Sequence, residues 1–236
     1  MLFSPQIPLP LMPVRDHRFE GFVVGPNKAV VEALRHIPDE PGSHIFLSGG
    51  EGSGKTHLLN ASCWLMRECQ GRAFYLGLKG LPEDAIASLQ ELEKLDLVCV
   101  DDLHVIAGDP LWEEALFHCF NRIREANGRL LVSSRTALKS LKLGLPDLDS
   151  RLAWGLSLSL TPLEDHDKLK VIDLLGEALG LNLPEEVQRY LLKHHDRSVQ
   201  ALVQTVENLH RAALTHKRRI TIPFAREVLN AAKNKD

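Results

Sequence analysis

Apolar positions along this chain keep two different rhythms, and the rhythm changes once. Ile45–Ser48, Ala73–Leu76, Leu97–Val100 and Arg129–Val132 are short runs without regular polar alternation, and Leu156–Leu160 reads as a last strand. Between them, Thr56–Glu68, Asp84–Leu95 (apolar at Ile86, Leu89 and Leu92) and Leu111–Ala126 read as helices. Strands apolar on both faces and separated by helices predict a parallel sheet sandwiched by helices, an α/β fold. After Pro162 the strands stop. Leu169, Ile172, Leu175 and Leu179 share one helical face, and Glu185–His194 follows Pro184 as a second helix. Val199, Leu202, Val206, Leu209 and Ala213 trace a third, and an extended piece at Ile220–Ile222 precedes a last helix from Phe224. Residues 1–21 hold four prolines and little periodicity, and read as an extended arm. The expected organisation is therefore an arm (1–21), an α/β domain (22–162) and a small all-α domain (163–236).

Composition narrows the class. With 236 residues, 44% apolar and 25% charged, the chain can bury a substantial core. No apolar run approaches the roughly 18 residues of a membrane span. The first residues carry no Lys or Arg before Arg15, unlike a secretory signal. A cytoplasmic protein without membrane contact is expected. Cys63, Cys69, Cys99 and Cys119 form no C-x-x-C pair, so buried free thiols in a reducing compartment are expected. A net charge of −3 argues against strong non-specific nucleic-acid binding by the whole chain. The charge is uneven: ten acids face Lys94 alone between Pro82 and Ala115, whereas seven Lys or Arg lie beyond Leu209.

The strongest chemical signal is Gly49-Gly50-Glu51-Gly52-Ser53-Gly54-Lys55-Thr56, a G-x-x-x-x-G-K-[ST] pattern between a predicted strand and a predicted helix. Its glycines let backbone N–H groups turn toward phosphate oxygens. Lys55 would reach the β- and γ-phosphates, and the Thr56 hydroxyl would ligate Mg²⁺. His57 continues the loop into the helix. The second signal is Leu97-Val98-Cys99-Val100-Asp101-Asp102, a buried strand ending in acids about 45 residues later. There Asp101 would serve the metal, and Asp102 would act as a base or orient water. His194-His195 has no partner at ligand spacing and reads as surface. Trp64, Trp112 and Trp154 read as core or interface packing.

Together with further boxes, these motifs resemble the AAA+ ATPases of the bacterial replication-initiator (DnaA) clade. Phe22-Val23-Val24-Gly25-Pro26-Asn27 is similar to the family's adenine-side box, which implies base contacts at Val23, Val24 and Asn27. Ser133-Ser134-Arg135 stands where the family has sensor I, at Ser134, although the initiator has an acid there. Ser150-Arg151-Leu152-Ala153-Trp154-Gly155 resembles the box whose arginine acts on a neighbour's nucleotide, which makes Arg151 an arginine finger in trans. The family's second sensor is an Arg where this chain has Gln200; Arg197, one turn earlier, is the substitute or a solvent-facing cap residue. Gln6-Ile7-Pro8-Leu9-Pro10-Leu11 looks like a peptide that docks on the replicative sliding clamp, through Gln6, Ile7, Leu9 and Leu11.

No segment resembles the initiator's helix-turn-helix DNA-binding domain, so DNA is expected to be met through the clamp. The resemblance implies ADP or ATP with Mg²⁺ as ligands. It implies DnaA and the DNA polymerase III β clamp as partners, with self-association a further option. Its own ATPase would be weak or absent, and its role negative regulation of replication initiation by stimulating DnaA's hydrolysis. Rival readings are a helicase loader or motor, and a nucleotide-dependent adaptor.

Overall fold

The computed structural model describes residues 17–194, 198–216 and 218–233. The arm residues Gln6, Ile7, Leu9 and Leu11 lie outside them, as does Arg197. Five strands, β1 (His44–Ser48), β2 (Ala73–Gly77), β3 (Leu97–Asp101), β4 (Arg129–Ser134) and β5 (Leu156–Ser159), form one sheet in the order β2-β3-β4-β1-β5. Every pairing is parallel, with Ile45 opposite both Leu131 and Leu156. α1 (Lys28–Arg35) precedes β1, and α2 (Lys55–Glu68), α3 (Pro110–Glu125) and α4 (Pro146–Ala153) are crossover helices between consecutive strands. One apolar cluster joins α3 and α4 to one sheet face through Phe46, Val98, Leu116 and Leu148. Another joins α1 and α2 to the opposite face through Leu34, Leu47, Leu58 and Cys99. Both faces of the central strands are thus dry, which is why those strands carry no polar alternation.

α5 (Asp165–Ala178), α6 (Glu185–His194), α7 (Val199–His216) and α8 (Ile222–Lys233) enclose a third cluster built on Ile172, Leu191, Leu202, Val206 and Phe224. Asp109 caps α3 by accepting from Leu111 N–H and Trp112 N–H at 3.0 and 3.2 Å, ahead of Pro110 at the first helical position.

Several expectations need correcting. Asp84–Leu95 is not an α-helix but two 3₁₀ segments, Glu83–Leu89 and Leu92–Lys94, parted by Gln90 in extended geometry and Glu91 at φ +61°. Its apolar residues recur strictly every three positions, the period of the tighter helix. Ile222 is not extended but opens α8, with Thr221 O accepting from Ala225 N–H at 2.8 Å. Within the expected arm, Phe19–Gly21 is a 3₁₀ turn with Phe19 in the core. Cys63, Cys99 and Cys119 are buried free thiols, but Cys69, at the end of α2, is exposed. Trp112 is buried, whereas Trp64 and Trp154 are partly exposed.

Candidate nucleotide site

The loop 49–54 leaves the C-terminal end of β1 and enters α2 through Gly54 at φ +96°. Phe22 explains the glycine sterically as well, because a Cβ on Gly54 would lie 2.6 Å from its ring. Gly49 N–H donates to Ser134 O at 3.1 Å and so fastens the loop to the end of β4. Lys55 is buried and donates from Nζ to Gly49 O (2.7 Å) and Gly50 O (2.9 Å). Burial pushes its pKa below the ordinary lysine value, while the negative charges of Asp102 and Asp101 hold it up. The Ser53 hydroxyl is buried in the same loop without a hydrogen-bond partner. A folded loop with an ammonium turned onto its own carbonyls and an unspent hydroxyl fits a phosphate chain.

Asp101 at the end of β3 is 1% exposed and saturated with donors. Its Oδ2 accepts from Thr56 Oγ1 at 2.6 Å and from the Tyr75 hydroxyl at 2.8 Å; its Oδ1 accepts from the Ser133 hydroxyl and from Asp102 N–H at 3.1 Å. Burial first, and then the charge of Asp101, pushes the Tyr75 phenol well above its usual pKa, so it stays protonated as a donor. Thr56 and Asp101 offer hard oxygens side by side, a donor set that suits Mg²⁺. No group of three or more His, Cys, Asp or Glu among the described residues forms a metal cage of its own. Such an ion would arrive with phosphate oxygens.

The other expected site residues are placed as follows. Ser134 is fully buried, and its hydroxyl accepts from Thr136 N–H at 3.3 Å; the serine that reaches the carboxylate is Ser133, one residue earlier and on the other face of the strand. Asn27 is buried. Its amide donates to Thr161 O at 3.0 Å and accepts from Thr161 N–H at 2.8 Å, fastening the start of α1 to the segment after β5. His57 Nε2 lies 2.8 Å from Arg18 O, turned toward the 17–22 segment. Val23 and Val24 are half-buried, Val24 against the core cluster of α1 and α2.

Gly50 is open to solvent. Gly52, at φ +70°, lies against the first turn of α7, where a Cβ would come 3.5 Å from Gln200 N. Asp102 adopts φ +61°, with its carboxylate 3.9 Å from His104 Nδ1. Arg135 pairs with Glu51 of the loop at 3.1 Å. Tyr75 and Ser133 were missed as site residues. Their hydroxyls stand 26 and 32 residues from Asp101, within β2 and near the end of β4, and a hydroxyl at those places is the available signal.

Arg151 lies elsewhere. It is in the last turn of α4, and its guanidinium carbon sits 4.3 Å from the centre of the Trp154 ring.

Residues 14–159 match the family described as bacterial DnaA ATPase domain. The chain belongs to that family. Residues 165–229 match the family described as Hda, lid domain, so the helical segment is a lid of this DnaA-related AAA+ architecture. Among solved structures, domain III of the Thermotoga maritima replication initiation protein DnaA is similar at TM-score 0.80 and 24% identity, over 97% of this chain and 98% of that one. AMPPCP-bound DnaA from Aquifex aeolicus is similar at TM-score 0.71 and 21% identity, over 94% and 71%. The Thermotoga maritima RuvB branch-migration motor is similar at 0.64 and 16%, over 86% and 69%. At these identities the likeness concerns the fold.

Proposed function

We propose that this chain is a nucleotide-loaded regulator of replication initiation that lends Arg151 to ATP-bound DnaA and so speeds its hydrolysis. The observation that carries the reading is the position of Arg151. The phosphate loop follows the C-terminal end of β1, whereas Arg151 precedes β5, whose start pairs with the start of β1. A five-residue strand of roughly 15 Å separates the two ends. Arg151 therefore serves another molecule's phosphates better than its own. A planar guanidinium placed where γ-phosphate charge develops stabilises the transition state.

In its own site, backbone N–H groups of 50–56 and Lys55 would hold the phosphates of ADP or ATP. The AMPPCP carried by the Aquifex aeolicus relative supports that ligand class. Thr56, with Asp101 behind it, would hold Mg²⁺, which supplies charge neutralisation between phosphate oxygens when bound. Val23 and Val24 would pack on the base. Turnover here is expected to be feeble, since Ser134 is buried and Gln200 stands beside the loop where the family has Arg. Residues Gln6, Ile7, Leu9 and Leu11 would tether the chain to the polymerase III clamp, and through it to DNA.

The test is ATP hydrolysis by DnaA with clamp on DNA. Arg151→Ala is expected to bind ADP and clamp normally and to lose stimulation by a factor on the order of 10³–10⁵, the range known for arginine fingers. Full stimulation by that variant would overturn the reading.

A further inference from the structure

Trp154 is 57% exposed, so burial does not account for a large aromatic residue at this place. Two guanidiniums lie against its ring. Arg151 comes from the last turn of α4, with its central carbon 4.3 Å from the ring centre, and Arg124 from the last turn of α3, at 4.5 Å. The two cations are thus within about 9 Å of each other, held together by the negative face of one indole against their mutual repulsion.

The ring also stands on a firm base. Gly155 follows it, and a Cβ there would collide with the His44 carbonyl and ring, so the backbone after Trp154 runs hard against the start of β1. His44 is in turn fixed edge-on to Phe120, with ring centres 4.7 Å apart.

We infer that Trp154 is a positioning residue for Arg151: its ring holds the guanidinium extended from α4 before a partner arrives. The inference rests on the reading of Arg151 as the finger. A free arginine side chain samples many rotamers, and ordering it at the moment of reaction raises the barrier; an arginine already stacked brings its planar donors in a restricted set of directions. Because the ring touches the finger itself, its loss should act on the chemical step rather than on association. Arg124 shares the ring and adds positive charge, but it holds no part of Arg151.

The experiment measures DnaA's stimulated ATP hydrolysis against concentration of this protein, separating the maximal rate from the half-saturating concentration. Trp154→Ala and Trp154→Leu, the second keeping apolar bulk without a π face, should each lower the maximal rate about three- to tenfold. Half-saturation, melting temperature and ADP binding should not change. Trp154→Phe should stay within about twofold of the parent, because a ring face returns, and Arg124→Ala should do the same.

A parent-like maximal rate in Trp154→Leu beside an inactive Arg151→Ala would overturn the platform and leave the finger standing. An equal fall in Arg124→Ala would assign the effect to the charge of the patch and also overturn it. A fully active Arg151→Ala would remove the finger, and the platform with it.

Discussion

Lys55 and Asp101 show two opposite ways of keeping a charge in a buried place. Asp101 is surrounded by three hydroxyls and one backbone N–H, so its charge is met by donors in full. Lys55 has only two loop carbonyls, and its pKa falls through burial despite the nearby aspartates. A bound phosphate chain would restore the favourable field and raise that pKa again. The free loop then loses its proton at a lower pH than the loaded loop, so binding takes up a proton in the interval between the two values. ADP affinity should accordingly hold steady near neutral pH and decline as pH climbs through the depressed Lys55 pKa, by at most about tenfold per pH unit. Calorimetry in buffers of different ionisation enthalpy should record proton uptake on the alkaline side. A flat affinity up to pH 10 would show that Lys55 keeps its charge in the free loop. At this scale the sequence was legible where spacing is local, as in 49–56 and 101–102. It was silent where hydroxyls from β2 and β4 converge on β3, because parallel strands bring together residues far apart in the chain.

Among the elements, legibility followed length. Apart from Asp84–Leu95, whose three-residue period belongs to 3₁₀ turns, the long helices and all five strands stood within a few residues of their expected bounds. α1 and α4, eight residues each, escaped notice although Val30, Val31 and Leu34, and Leu148 with Leu152, have helical spacing. The edge strand β5 alternates Leu with Ser and is mostly exposed, so its leucines did not report burial. The most informative contact between elements is also hidden from pattern: the amide of Asn27, 3% exposed, spans to both backbone groups of Thr161. Asn27→Ala would leave a part-buried N–H and C=O without partners at the junction of the sheet and the lid. A loss of about 2 kcal/mol is expected, which at this chain length lowers the melting temperature by about 4–8 °C. Asn27→Asp, which keeps the acceptor for Thr161 N–H but loses the donor, should fall between the two. Thermal unfolding followed by circular dichroism decides it, and a melting temperature equal to the parent's would show that the Asn27–Thr161 contact is dispensable.

For the molecule as a whole, the nucleotide loop is also the place where the sheet layer meets the lid. Gly52 abuts the first turn of α7 at Gln200, and Gly25, at φ +47°, is crossed so closely by Leu163 and Asp167 that any Cβ would strike them. A ligand seated on residues 50–56 would touch both layers, and its binding free energy would add to the stability of the pair. At ADP one hundred times its dissociation constant, linkage contributes about 2.7 kcal/mol. At roughly 2–4 °C per kcal/mol for a chain of this size, that is a rise of about 5–11 °C in melting temperature. Lys55→Ala should remove nearly all of the rise, because the mobile cation among the phosphate donors is gone, while its melting temperature without ADP stays close to the parent's or exceeds it, since an incompletely compensated buried amine has also been removed. Thr56→Ala should keep the rise in the absence of Mg²⁺ and lose the part that Mg²⁺ adds. A full ADP-dependent rise in Lys55→Ala would mean that the nucleotide binds away from this loop, whatever the likeness of the fold to nucleotide-bound relatives.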